Sequence, residues 1–95
     1  MVKVTCFLYM IRCLNNALYT GVTIDYERRW EEHKSGRGAK YIRNHGFDKP
    51  VFLQTFPNKS EAMKEERFIK QQDKMYKEEL VKSELNEIGG IKDGR

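Results

Sequence analysis

Five side chains and one glycine in this sequence have types and spacing that could do chemistry. Tyr9 stands in "CFLYMIRC" and Tyr19 ten residues later in "LYTGVTID", with Gly21 two positions beyond it. Arg29 follows Gly21 by eight residues, His33 comes one helical turn later, and Glu66 lies far downstream in "SEAMKEERFIK". An arginine held against the body of a protein needs an anionic partner, either a structural carboxylate or a bound anion such as a phosphate. A carboxylate on an otherwise apolar helical stripe needs a buried base or a divalent cation. With hydroxyl groups nearby, these are the parts of metal-assisted phosphodiester cleavage. The plainer alternatives are an Arg29–Glu66 ion pair with a structural role and two tyrosines engaged in ordinary strand packing.

The helices that carry the charged members show why these stand out. Tyr26, Arg29, Trp30 and His33 fall at i, i+3, i+4 and i+7, one stripe of a helix from Tyr26 to Lys34. Tyr26 and Trp30 must pack inward, which sets Arg29 and His33 along the border of the buried face and leaves Arg28, Glu31 and Glu32 to solvent. Downstream, Ala62, Glu66 and Ile69 share a stripe with Met63 beside it, and Glu65 is the solvated neighbour. Asp25 caps the first of these helices, with Glu27 favourably placed in its first turn; Ser60 or Asn58 caps the second.

The strands decide whether the tyrosines join this set. A strand from Val4 to Cys13 is apolar on both faces, which belongs at the centre of a sheet. "LNNA" is a turn, and a second strand runs from Ala17 to Thr23. A two-residue loop at Asn15-Asn16 would send Tyr9 and Tyr19 to opposite faces. A three-residue loop, Leu14 to Asn16, sets Cys13 opposite Ala17 and Tyr9 opposite Gly21, so that both tyrosines share a face. The functional reading therefore requires the odd-length loop. Beyond the first helix, Gly36 and Gly38 interrupt, "AKYIRNH" forms a short helical segment, and "PVFLQTF" is a third strand with Pro50 at its start. "KMYKEELVKSEL" is a last helical stretch that continues the preceding helix or follows a bend. The order of elements gives an α+β domain spanning residues 1–82, with residues 83–95 as a flexible, polar tail ending in "GGIKDGR".

A chain of 95 residues makes one domain. It contains no apolar run approaching the roughly 20 residues that span a bilayer and no signal-peptide cleavage pattern, so a cytoplasmic protein without membrane partners is expected. The two cysteines, Cys6 and Cys13, point to opposite faces of their strand and are expected reduced; two scattered histidines do not make a zinc site. Charge is more informative: the formal excess of +4 lies wholly in residues 1–50 and centres on "RRWEEHKSGRGAKYIR". There Arg28, Arg29, Lys34, Arg37, Lys40 and Arg43 are interleaved with Trp30 and Tyr41, a footprint suited to a nucleic-acid backbone. "SGRG" is too short for a phosphate-binding P-loop and lacks its Lys-Ser/Thr. His45, in a glycine-flanked loop, has no evident partner and is expected exposed.

Taken in order, "FLYMIRC", "LYTGVTIDYERRWEEH" and "SEAMKEERFIK" resemble the GIY-YIG nuclease superfamily, and more narrowly its small single-domain bacterial members, from about Thr5 to Val81. Phe7 and Leu8 stand where the first motif has Gly and Ile, Thr20 stands for Ile of the second, and "QQDKMYKEEL" lacks the asparagine that many members carry after the metal helix. The resemblance implies a small three-stranded antiparallel sheet flanked by helices, with an active site on one sheet face. By position it implies catalytic roles for Tyr9, Tyr19, Arg29 and His33, close approach of backbone and substrate at Gly21, and a single Mg²⁺ or Mn²⁺ held by Glu66. Arg28, Arg37, Lys40 and Arg43 are then substrate-binding candidates. The implied reaction is metal-dependent endonucleolytic hydrolysis of DNA, more than RNA, on branched or damaged structures in repair or recombination. A protein partner supplying specificity is implied as well. The alternative is a nucleic-acid-binding module on the same basic surface that cuts weakly or not at all.

Overall fold

A computed structural model describes residues 5–90. Strand β1 (Cys6–Cys13) turns into β2 (Leu18–Thr23), which hands over to helices α1 (Tyr26–Lys34) and α2 (Lys40–His45). Strand β3 (Phe47–Phe56), helices α3 (Lys59–Lys70) and α4 (Lys74–Val81) and a 3₁₀ turn (Ile88–Gly90) follow. The three strands form one antiparallel sheet in the order β2-β1-β3, so the strand apolar on both faces is the central one. On one face Leu8 and Met10 pack with Leu18 and Phe52 against Ile69 of α3 and Leu80 of α4. On the other, Tyr9, Ile11, Cys13 and Leu53 pack with Ile42 of α2, with Tyr26 and Trp30 of α1 partly buried against them. Both cysteines are buried and free, on opposite faces.

The hairpin has the three-residue loop. Cys13 N–H donates to Ala17 O at 2.9 Å and Asn16 N–H to Cys13 O at 2.8 Å. Asn16 sits at φ 72°, a left-handed conformation that asparagine tolerates better than most residues. Tyr9 is thereby paired with Gly21 and Met10 with Thr20.

Elsewhere the boundaries depart from expectation in ways that have local causes. β3 starts at Phe47 rather than Pro50, because Phe47 and Lys49 pair with Cys13 and Arg12. Pro50 falls inside the strand at a register shift between Met10 and Ile11, which an edge strand accommodates. Asn58, not Ser60, caps α3 through its side-chain oxygen and the Glu61 N–H at 2.9 Å. α4 is a separate helix with its own cap, Asp73, and is tied to β1 by the bidentate Arg12–Glu78 pair. Arg12, aided by Lys74, holds the Glu78 carboxyl down at about 2.

The expected flexible tail requires correction over residues 83–90. Asn86 donates to the carbonyls of Val51 and Val81, both at 2.8 Å, and accepts from the N–H groups of Leu53 and Ile88. Glu87 N–H donates to Leu53 O at 2.7 Å, and its carboxylate accepts from the Thr55 backbone and hydroxyl. This segment satisfies the outward-facing backbone groups of β3 that an edge strand otherwise leaves to solvent. Val4, and residues 91–95 of "GGIKDGR", lie outside the described residues. Among the described residues no helix is long and apolar enough to cross a membrane.

Candidate active site

Because β2 is an edge strand, side chains from both faces of the sheet can meet beside it. They do so in a cavity of about 210 Å³. Tyr9, Tyr19 and Gly21 line it from the hairpin, Arg29 from α1 and Glu66 from α3. Five of the residues singled out by spacing are therefore brought to one place, and the sixth, His33, stands directly behind Tyr9.

Tyr9 is 1% exposed, and its hydroxyl lies 2.7 Å from His33 Nε2. His33 is itself buried deeper than the border position its stripe predicts, and its Nδ1 accepts the Ala39 backbone N–H at 3.2 Å. Burial, and then the Arg29 charge, pull the imidazole down to about 4, only partly offset by Glu32. The ring is thus neutral at pH 7. With Nδ1 accepting, its hydrogen belongs to Nε2, so His33 donates and the Tyr9 oxygen accepts. Burial pushes the Tyr9 phenol up to about 12, against the opposing influence of Arg29. Tyr9 therefore keeps its own hydrogen, and His33 does not claim it.

Two glycines make this arrangement possible. A Cβ at Gly21 would come within 2.5 Å of the Tyr9 hydroxyl oxygen and 2.6 Å of Cζ. The close approach at Gly21 is thus to the end of the Tyr9 ring, where the resemblance implied room for backbone and substrate. Gly38, a helix breaker by sequence, also packs against His33: a Cβ there would overlap Nδ1 and come 2.9 Å from Cα. Tyr19 stands beside both rings, its centroid 6.5 Å from Tyr9 and 5.7 Å from His33.

The charged groups are partnered differently from expectation. Arg29 Nη1 donates to Glu32 Oε1 at 2.8 Å, and that bond raises the guanidinium's pKa. Glu32, placed on the solvent side by the helical wheel, is half-buried and anchors Arg29 because one turn of helix brings the two together. Glu66 pairs with Lys70 at 3.1 Å, one turn along its own helix. The Arg29–Glu66 ion pair is therefore not formed; each residue has a nearer partner.

Among the described residues no cluster of three or more His, Cys, Asp or Glu is arranged to hold a metal. The lone Glu66 carboxylate does not make an all-protein cage. It does suit a hard cation such as Mg²⁺ or Mn²⁺, which keeps waters and takes phosphate oxygens as further ligands. The Lys70 ammonium already resting on this carboxylate shows that the position accommodates positive charge.

Arg28, Arg37, Lys40 and Arg43 are exposed and do not line the cavity. Arg28 reaches Glu32 at 3.8 Å, Arg37 donates to Ser35 Oγ, and Arg43 to Gly38 O. Three residues that spacing did not identify as site members do line it: Val22, Met63 and Lys59. For Lys59 the sequence held a signal, since a cation in the first turn of a helix opposes the helix dipole. His45 is exposed as expected but not partnerless: its ring centroid is 4.2 Å from that of Tyr41, and Nδ1 is 3.3 Å from Asn15 Nδ2.

A small three-stranded antiparallel sheet flanked by helices is the architecture that the resemblance implied for a GIY-YIG catalytic domain. Residues 5–79 match that family, and the chain belongs to it. Among its relatives are a UPF0213 protein of Cronobacter sakazakii, 48% identical over 79 residues and 83% of each chain, and the UPF0213 protein YhbQ of Escherichia coli K12, 47% identical over 75 residues covering 79% of this chain and 75% of that one. The solution NMR structure of the UPF0213 protein BH0048 from Bacillus halodurans is similar in fold, with a TM-score of 0.55 at 39% identity, covering 85% of this chain and 86% of that one.

Proposed function

We propose that this protein is a divalent-metal-dependent endonuclease that hydrolyses phosphodiester bonds in DNA. The observation that carries the reading is the convergence of Tyr9, Tyr19, Arg29 and Glu66 on one cavity, from two strands and two helices. Arg29, oriented by Glu32, donates to the non-bridging oxygens and stabilises the charge that grows on them. Tyr9 orients the attacking water: its oxygen accepts from His33, which fixes the direction of its own hydroxyl hydrogen. A phenol pushed up to about 12, beside a His33 Nε2 that already carries a hydrogen, favours orientation over proton abstraction, so the proton of the attacking water passes to a phosphate oxygen or to solvent in the cavity. Tyr19 walls the cavity next to that water. When bound on Glu66, a divalent cation supplies the charge that polarises the phosphate and eases departure of the leaving oxygen. Arg28, Arg37, Lys40 and Arg43 form the flanking basic surface that holds the rest of the backbone, and branched or damaged DNA in repair or recombination is the fitting substrate. A protein partner is the natural source of further specificity, and the cytoplasm the compartment.

The test is cleavage of labelled single-stranded, duplex and branched DNA with Mg²⁺ or Mn²⁺, comparing the wild type with Glu66→Ala, Arg29→Ala and an EDTA control. Metal-dependent products lost in both variants are expected. The pairing of Lys70 with Glu66 favours one alternative, a binding module in which the carboxylate only anchors a lysine. Wild-type protein that binds DNA but never cuts it would establish that alternative.

A further inference from the structure

The cavity beside Gly21 is not the end of the groove. A second cavity of about 280 Å³ meets the first at Tyr19 and lies along the edge of β2, lined by Leu18, Tyr19, Thr20, Tyr41, Lys70 and Lys77. Tyr19 is shared between the two, and Lys70 joins them, since its ammonium pairs with Glu66 on one side and stands 6.0 Å from the Tyr19 ring centroid on the other. The rings of Tyr19, Tyr41 and His45 form a short series: Tyr19 and Tyr41 are nearly parallel, with centroids 6.1 Å apart, and His45 follows at 4.2 Å. Tyr41 is 41% exposed and takes no part in the catalytic set. The wall also includes Thr20, 3% exposed, whose hydroxyl oxygen is buried without a hydrogen-bond partner among the described residues.

Flat aromatic faces beside two ammonium groups match the chemistry of one nucleotide, a base that stacks and a phosphate that pairs. A base inside a duplex has both faces covered and cannot stack on a protein ring. We propose that this extension of the groove is a subsite for an unpaired nucleotide, its base packed on the part of the Tyr41 ring that Tyr19 and His45 leave exposed and its phosphate held by Lys70 and Lys77. The inference rests on the nuclease reading and narrows it to substrates with a single-stranded segment running along the edge of β2 next to the bond that is cut.

The test is equilibrium binding with EDTA present, so that nothing is cut. Fluorescently labelled thymidine oligonucleotides, uridine oligonucleotides and a blunt duplex are titrated with wild type, Tyr41→Ala, Tyr41→Phe and the double variant Lys70→Ala/Lys77→Ala. Tyr41→Ala is expected to weaken single-strand binding by about 5- to 150-fold, the usual range for one stacked base, while Tyr41→Phe keeps the ring and restores it. Duplex binding should not follow Tyr41. Loss of the lysines should flatten the salt dependence of single-strand affinity by about 0.7 in log–log slope per lysine. Deoxyribose and ribose oligomers show whether the subsite discriminates the sugar, and preferential binding of either supports it. If Tyr41→Ala binds single strands as tightly as wild type, or if duplex is preferred, the subsite is wrong even where cleavage of DNA is observed. If Tyr41-dependent binding is found but no substrate is cut, the subsite stands and the nuclease reading falls.

Discussion

Replacing Gly21 by alanine tests the geometry on which the candidate site depends. The added Cβ would lie 2.5 Å from the Tyr9 hydroxyl oxygen, 2.6 Å from Cζ and 3.1 Å from Cε2. The ring cannot swing aside cheaply, because Tyr9 is fully buried among Ile11, Cys13, Ile42 and Leu53 and its hydroxyl is bonded to His33. Nor can the backbone at position 21 retreat freely, since it is paired with Tyr9 across the hairpin. Overpacking of this kind costs about 1–3 kcal/mol. For a domain of this length that is a fall in Tm of roughly 4–8 °C per kcal/mol.

Calorimetric melting of Gly21→Ala beside wild type reads this directly, with Gly89→Ala, whose Cβ would meet nothing within 4 Å, as the neutral control. The cause is isolated by repeating the substitution in a Tyr9→Ala background, where the obstructing ring is gone. There Gly21→Ala should cost little, a coupling of about 1–3 kcal/mol between the two positions. Tyr9→Phe is not a sufficient background, because Cζ remains at 2.6 Å. A Gly21→Ala protein that melts with the wild type, or that loses as much stability with alanine at position 9, would refute the close approach as the reason for glycine there.

Further expectations follow from other parts of the structure. His33 is held down at about 4 against an ordinary 6.5, so the unfolded chain takes up its proton first as pH falls, and the stability its neutral form contributes is complete above about 6.5 and lost down to about 4. Unfolding free energies from urea titrations between pH 5 and 7 should therefore rise with pH, by about 3 kcal/mol over the full window from 4 to 6.5, and His33→Gln should flatten that slope; an unchanged slope would contradict the neutral ring. Glu78, held at about 2, loses its contribution in the same direction but from its ordinary 4.5 downward, so the two windows separate above pH 5. Trp30→Phe removes a buried ring N–H that has no acceptor among the described residues, and equilibrium unfolding should show a change within about 1 kcal/mol in either direction; a loss above about 2 kcal/mol would mean that the N–H is satisfied. Asn86→Ala, which breaks four hydrogen bonds, should cost about 2–4 kcal/mol and speed hydrogen exchange at the Leu53 amide, whereas exchange at the wild-type rate would show that residues 83–90 do not protect β3.

What was legible in the sequence was mostly what short-range rules decide. Asp25 as a cap, the period of Tyr26, Arg29, Trp30 and His33 and the two apolar faces of β1 all concern residues near one another in the chain, whereas the loop length that aligns Tyr9 with Gly21 followed only from the functional reading. Partner choice escaped because helical spacing offers several candidates at once. Glu32 lies one turn from both Arg28 and Arg29, and only the packing of α1 on the sheet decides which guanidinium is held near the cavity. Residues 83–90 escaped for another reason. "SELNEIGG" is polar and glycine-bearing, as tails are, and its anchorage depends on the open backbone groups of β3 some thirty residues earlier. Gly38 reads in sequence as a helix breaker and Ala39 as the start of a short helical segment, yet one makes room for the His33 ring and the other fixes its tautomer.

The position of the site at the edge of β2 explains why it needs a glycine at all. A sheet separates what packs on its two faces, so Arg29 from the side of α1 and Glu66 from α3 share a cavity only where the sheet ends. Tyr9 belongs to the central strand and must lean over its neighbour to reach that boundary, and only a residue without a side chain lets it pass. The same placement has a cost, because a free edge exposes unpaired backbone groups to association with other strands. Arg29, Lys70 and Lys77 stand along this one, so charges suited to a phosphate backbone also oppose edge-to-edge pairing. β3, the opposite edge, faces the same hazard; there residues 83–90 cover the strand from Val51 to Thr55 instead. One edge of the sheet is closed by the chain itself, and the other is kept open by charge.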